Sequence, residues 1–88
     1  MSYTICLQTA AVKVLDRVDR PTNSRLLRRL DELSEDPFDP RISKALRDPG
    51  GKRSSRVGDW RIIYSVDLSA RTVAVFFIEP RGQAYRRL

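Results

Sequence analysis

The stretch RVGDWRIIYSVD, residues 56–67, decides the fold. Two alternating apolar runs flank Gly58-Asp59, a pair of residues suited to a tight reversal, so the segment predicts a β-hairpin. Side chains alternate across a strand, which puts Trp60, Ile62, Tyr64 and Val66 on one face and Arg61, Ile63 and Ser65 on the other. Arg56 and Arg61 then stand on either side of the turn. Cations on a central strand pair either decorate a solvated face or face negative charge. A third strand, TVAVFFIE, follows the turn LSAR, with Val73, Val75 and Phe77 opposite Ala74, Phe76 and Ile78.

Upstream the period changes. YTICLQ alternates Tyr3, Ile5 and Leu7 with small or polar residues and reads as a strand. Thr9 is placed to cap a helix in which Val12, Leu15 and Val18 recur at helical spacing. Pro21, a residue favoured in the first turn, opens a second helix with Leu26, Leu30 and Leu33 on one stripe. Arg28 with Glu32, and Arg25 or Arg29 with the acids after them, can pair on its outer side. Pro37 ends that helix, because the residue before a proline avoids helical backbone. Residues 37–51 hold three of the five prolines and two of the four glycines, and read as a connection with one helical turn at SKAL. The class is α+β: an N-terminal strand, a helical hairpin and a three-stranded antiparallel meander in one sheet, as a single domain over residues 1–88.

The chain has 88 residues and a formal charge of +6. That charge is uneven. Residues 1–40 carry six basic and seven acidic side chains, net −1, whereas residues 41–88 carry eleven and four, net +7. Arginine outnumbers lysine heavily, and guanidinium forks suit bidentate contact with phosphate. The basic half is therefore an electrostatic footprint for nucleic acid or an acidic protein. No apolar run reaches the roughly 20 residues of a membrane span. One cysteine, Cys6, cannot close an internal disulfide, so the cytoplasm is the expected compartment.

Several chemistries drop out. The chain has no histidine, which removes His-based triads and His metal sites. Cys6 in an alternating strand reads as a small hydrophobe rather than a nucleophile. The acids of DELSED follow Arg28 and Arg29 near a helix end and read as a solvated helix face. DPGGKRSS lacks the two separated glycines of a phosphate-cradling loop. No metal or cofactor is expected.

RVGDWRIIYSVD followed by VAVFFIEPRGQAY resembles the strand core of the RelE/ParE superfamily of bacterial toxins, and the element order of nearly the whole chain matches it. The resemblance implies the toxin of a type II toxin–antitoxin pair. RelE-like members are ribosome-dependent endoribonucleases that cut mRNA in the A site. ParE-like members share the fold, inhibit DNA gyrase and lack the nuclease residues; a catalytically inactive, partner-binding member is a third alternative. By the family pattern Arg61 holds the scissile phosphate, Arg56 is the basic residue of the preceding strand, Arg81 follows the last strand and Tyr85 is the terminal tyrosine. The second lysine of the best-known members has no counterpart in register; Ser54 falls nearest, with Lys52 and Arg53 beside it. These three, with Arg86 and Arg87, are the expected RNA-binding residues. The implied partners are a cognate antitoxin, the ribosome and mRNA.

Such a site would need a proton taken from the 2′-hydroxyl, charge stabilised on the phosphorane, and a leaving 5′-oxygen. Arg61 and Arg56 can supply the second. Tyr85 is the candidate base; a tyrosine ordinarily titrates near ~10, and neighbouring cations favour its phenolate. Arg81 is expected to stabilise charge.

Overall fold

A computed structural model of the chain describes residues 2–81. The elements are β1 (Thr4–Leu7), α1 (Thr9–Arg17), α2 (Arg20–Glu35), β2 (Lys44–Ala45), β3 (Arg53–Val57), β4 (Trp60–Asp67) and β5 (Thr72–Pro80). They form the expected α+β arrangement, with a sheet of five strands in the order β1-β5-β4-β3-β2. β3, β4 and β5 make the antiparallel meander. β1 joins its β5 side in parallel, Thr4 opposite Thr72 and Leu7 opposite Val75. The helical excursion between β1 and the meander makes that parallel pairing possible, since parallel strands need a long crossover.

α1 departs from expectation in two details. Its N-cap is Gln8, without a side-chain cap, and Thr9 is already helical. Its inward residues are Ala11 and Leu15, four apart, while Val12 is 39% exposed. Ala11 wins because a small side chain lets the helix approach the sheet closely. α2 is the better-defined helix. Asp19 caps it, accepting from the Thr22 amide at 3.2 Å and the Thr22 hydroxyl at 2.7 Å. Pro21 is the second helical residue, where its missing N–H costs no intrahelical bond. Asn23 donates to the Leu15 carbonyl at 2.8 Å, satisfying a last-turn acceptor of α1 and locking the corner between the helices. Leu26, Leu30 and Leu33 are buried as their spacing predicts.

Two strand-level expectations are corrected. SKAL contains no helical turn: Lys44 and Ala45 form β2, opposite Ser54 and Arg53. Backbone groups there find partners on an exposed strand edge, which a single helical turn cannot supply. In β5 the register slips between Ile63/Tyr64, with Ile63 opposite Phe77 but Tyr64 opposite Val75, so Phe76 is an inserted residue. Strict alternation puts Phe77 with Val73 and Val75; beyond the bulge Ile78 joins them in the core instead. The core comprises these residues with Ile62, Tyr64, Val57 and the inward residues of α1 and α2. Trp60 and Val66 pack against its rim, so the four residues expected to share a face on β4 do so. No helix among the described residues is long and apolar enough to cross a membrane.

Candidate functional site

The hairpin of β3 and β4 carries the site. Gly58 has φ +58° and Asp59 does not share a positive φ, as a two-residue loop led by glycine requires. With Val57 opposite Trp60, Arg56 and Arg61 become direct cross-strand partners. They lie on the face opposite Ile62 and Tyr64, away from the helices. Ser54, opposite Ile63, is on the same face one pair along, and Lys44 of β2 stands opposite Ser54.

Those residues line an open cleft of about 390 Å³. One wall is sheet and helix: Arg29, Ser54, Arg56 and Arg61. The other is a run of five consecutive residues, Pro40 to Lys44. Five of the nine side chains are cationic and none is acidic, so the cleft concentrates positive potential where an anionic backbone can enter. Arg29 reaches it from α2. Its Nη1 donates to the Ser55 hydroxyl at 2.9 Å and the Arg56 carbonyl at 2.6 Å, and its Nε bonds Glu32 at 3.0 Å. This is the ion pair that forms on the outer side of α2, and it also ties the helix to β3. Arg41 is gripped by Asp39 through Nε at 3.2 Å and Nη2 at 2.8 Å. The bond from Arg41 holds the Asp39 carboxyl below its ordinary range and pushes the guanidinium up.

The residues expected from sequence divide in four. Arg56, Arg61 and Ser54 meet in the cleft. Arg81 is brought to the hairpin turn, its amide donating to the Asp59 carbonyl at 2.9 Å. Its Nε is buried without a hydrogen-bond partner among the described residues. Lys52 and Arg53 do not line the cleft. The Lys52 ammonium lies 3.6 Å from Asp48 and 5.6 Å from the Phe76 ring centre, and its amide, bonded to Asp48, holds that carboxyl low. Arg53, opposite Tyr64 in the sheet, turns to the covered side, donating from Nε to the Ser43 hydroxyl at 2.8 Å and lying over Phe38 at 5.1 Å. Tyr85, Arg86 and Arg87 lie outside the described residues.

Sequence reasoning misses Arg29, Arg41 and Lys44. Spacing marks Arg29 only as an outer-face pairing residue, and the other two lie in a connection without periodicity. Glu79 escapes it as well: only 6% exposed, it is the cross-strand partner of Arg61 on β5. No cluster of three or more metal-ligating side chains occurs among the described residues.

Comparison with known proteins converges on one group. A family model described as the ParE toxin of type II toxin–antitoxin system, parDE, matches residues 5–85. No curated protein matches. Among solved structures, the archaeal RelE–RelB complex of Pyrococcus horikoshii OT3 has a chain 26% identical, matched over 94% of this chain and 99% of that one, with TM-score 0.81. The toxin–antitoxin complex RelBE2 of Mycobacterium tuberculosis gives 25% identity over 92% and 100%, with TM-score 0.79. The isolated RelE toxin of E. coli shares the fold at 18% identity over 98% of both chains, with TM-score 0.78. With the family match spanning both helices and the whole meander, the chain belongs to the ParE toxin family of type II toxin–antitoxin systems, within the RelE/ParE superfamily.

Proposed function

We propose that this toxin is a ribosome-dependent endoribonuclease that cleaves mRNA in the A site without a metal, acts in the cytoplasm, and is neutralised by a cognate antitoxin covering its basic cleft. The observation that carries the reading is the Arg56–Arg61 pair, opposed across the hairpin in a cleft of five cations with no acidic lining residue. Gripping phosphate oxygens is the chemistry such a pair does best. In the reaction, the 2′-oxygen bonds to phosphorus as the 5′-oxygen leaves, and one proton passes from the first to the second. Arg61 and Arg56 hold the phosphate and take up the charge of the phosphorane. Arg81, delivered to the turn between them, adds to that field. Tyr85 is assigned as base on the family pattern. An antitoxin partner is supported by two of the solved relatives, from Pyrococcus horikoshii and Mycobacterium tuberculosis, which are themselves toxin–antitoxin complexes.

The competing reading is a gyrase-directed toxin, favoured by the ParE description of the matching family. Inducing wild type and an Arg61→Ala/Tyr85→Phe variant in bacteria separates the two. Primer extension on a translated reporter should show ribosome-dependent cuts with wild type, reduced about 10²–10³-fold in the variant, the range for removing a charge-stabilising donor. A DNA-damage response without mRNA cuts, or equal cutting by the variant, refutes the nuclease assignment.

A further inference from the structure

Tyr64 is completely buried at the centre of the sheet, between Arg53 of β3 and Val75 of β5. Its ring is core, but its hydroxyl is used elsewhere. It donates to the Pro37 carbonyl at 2.6 Å and bonds the Ser43 hydroxyl, which also accepts from Arg53 Nε at 2.8 Å. Pro37 and Ser43 bracket the connection from α2 to β2. One whole wall of the basic cleft is made by the last residues of that connection and the first of β2, including Arg41 and Lys44.

Besides this hydroxyl, the sheet holds the connection through Arg53, whose Nε donates to the Ser43 hydroxyl at 2.8 Å and whose guanidinium lies over Phe38. β2 pairs through two residues, Lys44 and Ala45, and Ile42 packs against the core. The turns within it, such as the Ile42 amide on the Asp39 carbonyl at 3.1 Å, shape the loop without fixing it to the strands. Without the Tyr64 hydroxyl the buried Pro37 carbonyl loses its partner and regains one most easily by lifting toward water, while Ser43 keeps only its bond from Arg53 Nε.

We infer that Tyr64 is a positioning residue: its hydroxyl latches the Pro37–Ser43 connection to the sheet, so that Arg41 and Lys44 complete the polyanion track begun by Arg56 and Arg61. The inference rests on the nucleic-acid reading above and adds to it a second cationic wall and the group that sets its place. Touching no substrate, Tyr64 acts only through that wall.

The test uses the full chain and a fluorescent 12-nucleotide single-stranded RNA, with affinity followed against salt. Each phosphate that the protein ceases to neutralise lowers the log–log slope by about 0.7. Tyr64→Phe should lower it by about 0.7–1.4, and Ser43→Ala should do likewise should the phenylalanine variant prove hard to purify. In an Arg41→Ala/Lys44→Ala background the same changes should have no further effect, whereas general loosening would subtract in either background. An unchanged slope in Tyr64→Phe, or an equal further loss in the double variant, overturns the inference. Hydrogen exchange at the Leu46 amide, which bonds the Lys52 carbonyl at 2.9 Å and joins the β2 segment to the chain entering β3, needs no RNA and should accelerate at least tenfold in Tyr64→Phe; unchanged protection overturns the latch on its own. Wild type that fails to bind RNA sinks the nucleic-acid reading, and exchange then decides the latch.

Discussion

The two faces of one sheet have opposite tasks here. On the covered face Ile62, Tyr64, Val73 and Val75 are sealed from water by α1 and α2. One residue away along the same strands, Arg56 and Arg61 stand in an open cleft. Alternation lets a single hairpin serve both, because successive side chains leave a strand in opposite directions. The consequence is that stability and binding should separate cleanly between neighbouring residues.

The largest effect expected from that separation is at Ile62. Ile62→Ala leaves a cavity in the fully buried face and should cost about 2–5 kcal/mol in urea denaturation, a large share of the stability of so small a domain. Arg56→Ala, on the exposed face, should stay within about 0.5 kcal/mol of wild type, since the Arg56 atom used in the fold is its carbonyl. Similar losses in both would erase the distinction between the faces.

A finer contrast lies within β3. Arg53 and Arg56 are three residues apart and therefore on opposite faces. Arg53→Ala removes the bond to Ser43 and the packing on Phe38, and should destabilise by about 1 kcal/mol. Arg56→Ala should instead lower the salt slope of RNA binding by about 0.7. If Arg53→Ala leaves stability intact and lowers the slope as much as Arg56→Ala, the assignment of Arg53 to the fold is wrong.

The smallest effect is acid sensitivity, which belongs to neither face. Asp19, Asp39, Asp48 and Asp67 all have carboxyls held below their ordinary value, Asp19 by the Thr22 hydroxyl, Asp39 by Arg41, Asp48 by the Lys52 amide and Asp67 by the Ala70 amide. A depressed carboxyl stabilises the fold above its unfolded value and loses that contribution as pH falls through the folded one. The thermal midpoint should therefore vary little from pH 8 to 5 and drop below about pH 4. Asp19→Asn, which keeps a capping acceptor, should weaken that drop; an unaltered acid profile would mean that Asp19 contributes nothing to it.

Much of the fold is legible in the sequence because its signals are local. Leu26, Leu30 and Leu33 mark a helix by spacing, Gly58-Asp59 marks a turn by conformational freedom, and Trp60 to Val66 mark a strand by period. The bulge at Phe76 is not legible. It exchanges Phe77 for Ile78 in the core, and only the fit of β5 against β4 reveals it. β2 is not legible either, since two residues carry no period and their pairing is set by β3.

The site follows the same division. The chain's own chemistry determined that its second half is basic, that Arg56 and Arg61 share a face away from the core, and that histidine chemistry is excluded. Which cations accompany them was decided by tertiary structure alone. Lys52 and Arg53, close in sequence, turn to Asp48 and Phe38, whereas Arg29 and Arg41, distant in sequence, enter the cleft. Periodicity assigns a side chain to a face, but its partners depend on which segments the core draws together, and that is a property of the packed chain.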